Sequence, residues 1–186
     1  MDVRILVQQT PNPNARKFIV NQILKTEGKA TFSSKAEAEM VPLVRDIFDL
    51  AGVEQVHIYD NFMTVTKSEE GNDWYQLEPQ VKAIIQTRVP IHDPNMNVEA
   101  KVKARTPREN LSPELQKIEE ILDRTIRPGL QGDGGDLEVV SLEGKTLQIR
   151  YQGACGTCPS SAAGTLQAIE SIMQNEFDPD LKVLAV

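Results

Sequence analysis

The sequence predicts an α+β protein of two small domains, each a small sheet covered by helices. Three observations lead there. Residues 90–113, "PIHDPNMNVEAKVKARTPRENLSP", are punctuated by Pro90, Pro94, Pro107 and Pro113, are poor in apolar residues and hold no sustained period. The residues before this segment mix strand-like runs with amphipathic helical ones. The residues after it read α-β-β-turn-α-β in a single pass. A chain of 186 residues suits this division. The expected limits are a domain over 1–90, a flexible linker over 91–111 spanning about 25 Å, and a domain over 112–186.

In the N-terminal domain, "VRILVQ" (Val3–Gln8) and "KFIVN" (Lys17–Asn21) are strand-like, and the turn-rich "QTPNPNAR" joins them as a loop. In "SSKAEAEMVPLVRDIFDLAG", Ser34 and Glu37 have capping-box spacing. A helix begun there would carry Pro42 in its interior at a cost of about 3 kcal/mol. The expectation is therefore a short turn, then a helix with Pro42 in its first turn, ending at Gly52. Leu43, Val44, Ile47, Phe48 and Leu50 form its buried stripe. "VEQVHIY" and "FMTVTK" flank "DN" as a hairpin. "DWYQLEPQVKAIIQTRV" closes the domain as a helix with Leu77, Val81, Ile84, Ile85 and Arg88 in its period. Asp73 and Gln76 are spaced as a cap, and Pro79 either kinks this helix or marks its true start. Trp74 is expected in the core.

In the C-terminal domain, Ser112, Pro113 and Glu114 supply an N-cap, a proline at the first helical position and an acid in the first turn. Leu115, Ile118, Ile121, Leu122 and Ile126 form the apolar face, and Arg127 with Pro128–Gly129 stop the helix. "DLEVVSL" and "TLQIRYQ" are strands about the turn "EGK". "PSSAAGTLQAIESIMQNEF" is a helix with Ala162, Leu166, Ile169, Ile172 and Met173 facing inward, and "LKVLAV" is a last strand. A three-stranded sheet covered by two helices is the natural packing.

Composition narrows the function. Net charge is −7, with −2 in residues 1–90, +1 in 91–111 and −6 in 112–186. No basic stripe suits a nucleic acid, and Lys101, Lys103 and Arg105 read as solvated charge. No run approaches the ~18 apolar residues of a membrane span. "MDVRILVQQTPNPN" lacks a basic region followed by an apolar stretch, so the expectation is a cytoplasmic protein with reduced thiols. No Ser–His–Asp arrangement, P-loop or dinucleotide fingerprint points to an enzyme.

The chain's two cysteines, Cys155 and Cys158, stand in "YQGACGTCPSSAAG". Tyr151 ends a strand and Pro159 suits the first position of a helix, which puts Cys158 at the N-cap and Cys155 in the preceding turn. Open N–H groups and the helix dipole favour thiolate over thiol. Gly153 and Gly156 let the backbone fold tightly beside a bulky ligand. Four readings compete. A structural disulfide would close a very short loop and remove little chain entropy. A thioredoxin-like dithiol–disulfide oxidoreductase uses such a turn, but commonly with a proline between the cysteines, where Gly156 and Thr157 stand here. Zinc wants four ligands, and His57, on a strand of the other domain, and His92, in the linker, lack ligand spacing. An iron–sulfur cluster also wants four thiolates, which two chains would supply. A [4Fe–4S] cluster with full cysteine ligation would then bridge two subunits at a symmetric interface, near the surface and easily given away. Spacing alone leaves the metal and redox readings both open. "DGGD" (Asp133–Asp136) reads as a turn and strand entry rather than an acidic metal loop.

"IRPGLQGDGGDLEVVSLEGKTLQIRYQGACGTCPSSAAGTLQAIESIM" resembles the C-terminal domain of NifU, the Nfu-type iron–sulfur scaffold and carrier, over essentially all of residues 112–186. "DGGD", "GACGTCPSS" and the helix that follows carry the likeness. "TPNPNARKF", "GVEQVHIYDNFMTVTK" and "DWYQL" resemble the N-terminal domain that accompanies it in many Nfu proteins. The resemblance implies a homodimer that assembles or receives a [4Fe–4S] cluster through Cys155 and Cys158 and passes it to apo iron–sulfur proteins, with upstream assembly proteins as possible donors. It implies an N-terminal domain without ligands that serves stability or target recognition. One departure is Val41, where the family usually has a small residue before the proline; it touches packing alone.

Overall fold

The computed structural model describes residues 2–96, 112–155 and 159–186, with side chains throughout except at 159–163. The chain divides into two compact units, Met1–Val102 and Lys103–Val186.

The first unit is built on an antiparallel five-stranded sheet in the order β1-β2-β5-β4-β3: β1 (Ile5–Gln9), β2 (Ala15–Val20), β3 (Lys29–Phe32), β4 (Val53–Tyr59) and β5 (Phe62–Lys67). The β4–β5 hairpin turns where the sequence placed it, with Asp60 at φ 48°, a left-handed conformation that aspartate tolerates. The short β3 is a strand the reading above does not contain; Ala30 and Phe32 are its only apolar residues, too few to mark a period. Helix α1 (Pro42–Phe48) opens with Pro42 in its first turn, as the proline argument requires, but stops at Phe48, before the expected Gly52. Helix α2 (Trp74–Arg88) starts after Asp73, whose carboxylate accepts from Tyr75 N, and Pro79 lies inside it. Leu43, Val44 and Ile47 of α1 and Leu77, Val81 and Ile85 of α2 pack with Phe18, Val56, Ile58, Met63 and Val65 of the sheet. Val41, the departure from the family pattern, is buried in this core.

The "TPNPN" loop is tied to this unit. Trp74 Nε1 donates to the Pro13 carbonyl at 2.9 Å, and the Arg16 guanidinium lies 5.5 Å from the Trp74 ring centroid. Residues 91–96, assigned above to the linker, also fold back here. Met96 is buried, Thr26 N donates to Pro94 O at 3.0 Å, and the His92 Nε2–H donates to Leu24 O at 2.7 Å.

The second unit runs α3 (Pro113–Thr125), α4 (Arg127–Gly132), β6 (Gly135–Glu143), β7 (Thr146–Gly153), α5 (Pro159–Glu176) and β8 (Lys182–Ala185). Ser112 Oγ accepts from Leu115 N at 3.3 Å, the cap expected for α3. Among the described residues this unit has three helices rather than the two expected. Pro128 has no N–H for a continuing α3, but as the second residue of α4 it needs none, so the chain breaks at Ile126 and starts a new turn. β6 and β7 pair antiparallel, and β8 joins β7 in parallel after the α5 crossover. A bulge between Val139 and Ser141 turns Val140 to solvent and breaks the simple alternation of β6. Ile118, Leu122, Leu137, Leu147, Ile149, Ile169 and Met173 form the core. Among the described residues no helix is long and apolar enough to cross a membrane.

One ion cluster links α1 and α2. Asp46 accepts from Arg88 Nε at 2.5 Å and from Arg45 Nη2 at 3.2 Å. Burial works to raise the Asp46 pKa, but the hydrogen bonds from Arg88 and then Arg45 outweigh it and hold the carboxyl below its ordinary value. The contribution is present above the unfolded value of about 3.9 and is lost as pH falls through the depressed folded value. Asp46→Asn is expected to lower stability at neutral pH by at most about 1 kcal/mol. In urea titrations the gap to wild type should close as pH falls through the depressed folded value of Asp46. A gap that stays constant with pH would refute the assignment.

Candidate functional site

The site is built where β6 begins and β7 ends. Gly135 and Gly153 stand opposite each other in the ladder. Gly153 has φ 64°, a conformation a side chain would strain, and it turns the chain out of β7. Ala154 N then donates to the Gly134 carbonyl at 3.2 Å, which lays the next residue, Cys155, back over Gly135. The approach is close. A Cβ on Gly135 would overlap the Cys155 Sγ and stand 3.1 Å from both Cys155 Cβ and Cys155 N. Cys155 is half-buried and packs on the core beside Tyr151. It lies in the turn that follows β7, where the sequence placed it. Cys158 lies outside the described residues. Helix α5 begins at Pro159, in agreement with the expected proline at its first position.

Tyr151 senses the thiol. Burial pushes the Tyr151 phenol up to about 12, and the negative charge at Cys155 adds to the effect. Neither the spacing of the motif nor the hydrophobic pattern singled out this tyrosine, because its burial depends on the assembled core.

Beneath Gly135 lies a buried charge cluster. Asp136 is 1% exposed, Arg127 4% and Glu119 6%. Asp136 Oδ1 accepts from Leu137 N at 2.6 Å, the local backbone bond expected of this strand entry. It also lies 3.5 Å from Arg127 Nε, and its Oδ2 lies 3.5 Å from Gln131 Nε2. Arg127 Nη1 stands 2.7 Å from Glu119 Oε2 and also pairs with Asp123. Burial opposes the charge on Arg127, but Glu119 and then Asp123 raise its pKa above the ordinary value, so the guanidinium stays protonated. A signal was available: Glu119, Asp123 and Arg127 are spaced four apart, one face of a helix. Reading Arg127 only as a helix stop concealed it.

The histidines stay with the first unit. His57 is buried with Nδ1 2.8 Å from Thr31 Oγ1, as an ordinary strand residue would be, and His92 caps a carbonyl as described above. Among the described residues no group of three or more His, Cys, Asp or Glu is arranged to hold a metal ion.

Two outcomes follow from these contacts. Arg127→Met leaves three carboxylates near one another without their cation, so it should cost about 3–5 kcal/mol in urea denaturation; a loss below about 1 kcal/mol would contradict the cluster. A phenol titrating near 12 should appear in the ultraviolet absorbance, disappear in Tyr151→Phe and move down in Cys155→Ser. A titration unchanged in Cys155→Ser would separate the thiol from the ring.

Both halves of the chain are similar to known proteins. Residues 5–90 match the family described as scaffold protein Nfu/NifU N terminal, and residues 118–184 match the NifU-like domain. The human protein named NFU1 iron-sulfur cluster scaffold homolog, mitochondrial, is 34% identical over 170 residues, which cover 91% of this chain and 66% of the human one. The Drosophila grimshawi protein of the same name is 31% identical over 176 residues, 91% of this chain and 57% of its own. The chain thus spans less than two thirds of the length of these relatives. The solution NMR structure of a NifU-like protein from Saccharomyces cerevisiae is 26% identical and covers 48% of this chain and 81% of its own, with a TM-score of 0.45. With both family domains present in order over most of its length, the chain belongs to the Nfu family.

Proposed function

We propose that this protein is an iron–sulfur cluster scaffold or carrier, in which Cys155 and Cys158 of two copies together hold one labile [4Fe–4S] cluster. The observation that carries the reading is the half-buried Cys155 side chain, held over a glycine at a strand end, in a chain of this family with two cysteines. Two thiolates are half of what a fully cysteine-ligated cluster needs, so the second half comes from a second copy. The cluster is cargo. Release proceeds by ligand exchange, in which thiolates of an apo iron–sulfur protein replace these thiolates one at a time. No turnover chemistry is required of the chain, and the protein acts as a carrier rather than an enzyme. Donors are upstream assembly proteins. Residues 1–90 serve as the accompanying domain, with 91–96 packed onto it, the rest of 91–111 as linker and 112–186 as the cluster-binding domain. The family relatives named above are called mitochondrial; for this chain a reducing compartment, cytoplasmic on the sequence reading, keeps both thiols available.

Reconstitution tests this directly. The chain is treated anaerobically with iron and sulfide, and iron, sulfide and mass are measured on the same sample. The expected product is a dimer with about four irons and four sulfides per two chains. A monomer that takes up a full cluster would sink the bridging arrangement. Undiminished loading of Cys155→Ser would sink the ligand assignment. A reversible Cys155–Cys158 disulfide with no iron uptake would favour the dithiol oxidoreductase instead.

A further inference from the structure

We propose that Arg127 is a positioning residue for the Cys155 thiol, acting through Asp136 and Gly135. The connection is short. Adjacent strand residues point to opposite faces of a sheet, so when the Asp136 side chain is held from one side, the Gly135 backbone is held on the other. Arg127 Nε and Gln131 Nε2 hold the two oxygens of Asp136 at 3.5 Å each, and Glu119 and Asp123 on α3 hold Arg127. Gly135 in turn carries the thiol without slack, since even a methyl group there would overlap Sγ. A small displacement of the start of β6 therefore moves Cys155.

Stability alone is a weak reason for such a cluster. Buried ion pairs are often matched or surpassed by apolar packing of the same volume. One guanidinium set among three carboxylates at the base of a thiol site has a clearer use in fixing where the strand begins. Outer-shell contacts of this kind tune how a ligand is presented to metal.

The test uses the full chain with Arg127→Lys and Asp136→Asn, which keep size and polarity while losing the fork geometry or the charge. Ile169→Val, a core substitution in the same unit, controls for lost stability alone. The first readout is the alkylation rate of Cys155 in the apo chain at fixed pH, resolved from Cys158 by mass spectrometry. The second is the half-life of the reconstituted cluster's visible absorbance against a chelator. Both variants should change the Cys155 alkylation rate several-fold and shorten the cluster half-life about tenfold, while Ile169→Val changes neither. Variants that lose Tm but leave both readouts at wild-type values would overturn the proposal, as would equal effects in the control. The cluster arm rests on the scaffold reading. If the wild type takes up no cluster, that reading fails, and the alkylation arm still decides the role of Arg127. Should neither variant fold, hydrogen exchange on the wild type decides it. The Ala154 amide, bonded to Gly134 O, and the Leu137 amide, bonded to Asp136, should open together with equal protection. An Ala154 amide that exchanges far faster than Leu137 would overturn the coupling.

Discussion

There is no room for a side chain between Gly135 and the sulfur of Cys155, and much of the C-terminal unit is arranged around that contact. It requires glycine on β6 facing glycine on β7, which weakens both strand ends, since glycine gives up more chain entropy than other residues on folding. One residue later Asp136 turns inward. A buried carboxylate needs a partner, and Arg127 is delivered by the break between α3 and α4. Pro128 causes that break. A proline, a buried ion cluster and a pair of glycines are thus consecutive links in one chain of causes that ends at a thiol.

The N-terminal unit follows a different logic. Its sheet is antiparallel throughout, and its loops are pinned by neutral contacts such as Trp74 to the Pro13 carbonyl. Its two histidines are engaged with Thr31 and Leu24. The "TPNPN" loop is held at its base by the Trp74 bond to Pro13. The thiol chemistry is confined to the other unit, since the sequence has no cysteine before Cys155.

Much of this was legible in the sequence, for physical reasons. Pro42 and Pro113 each exclude a helix interior, and both helices begin at them. The β4–β5 hairpin was legible because runs rich in β-branched residues flank an Asp–Asn turn. The short β3 was hidden because two apolar residues do not make a period, and α4 was hidden because Pro128–Gly129 looks like an end when it is also a fresh start. At the site, the motif located Cys155, and the four-residue spacing of Glu119, Asp123 and Arg127 held the cluster in plain view. The Gly135–Cys155 contact could not be read locally. It joins residues twenty apart through strand register, which appears only once the sheet is assembled.

The parallel strand β8 has an effect on the order of events during synthesis. Its residues Lys182–Ala185 lie beside Thr146–Ile149 of the strand that ends in the thiol turn, but they are made only after the whole of α5. Until then one edge of β7 carries unpaired backbone groups, and pairing across so long a connection is slow compared with closing a hairpin. Cys155 is therefore made before the sheet that carries it is complete. A half-made chain of this design holds its thiol turn on an unfinished sheet.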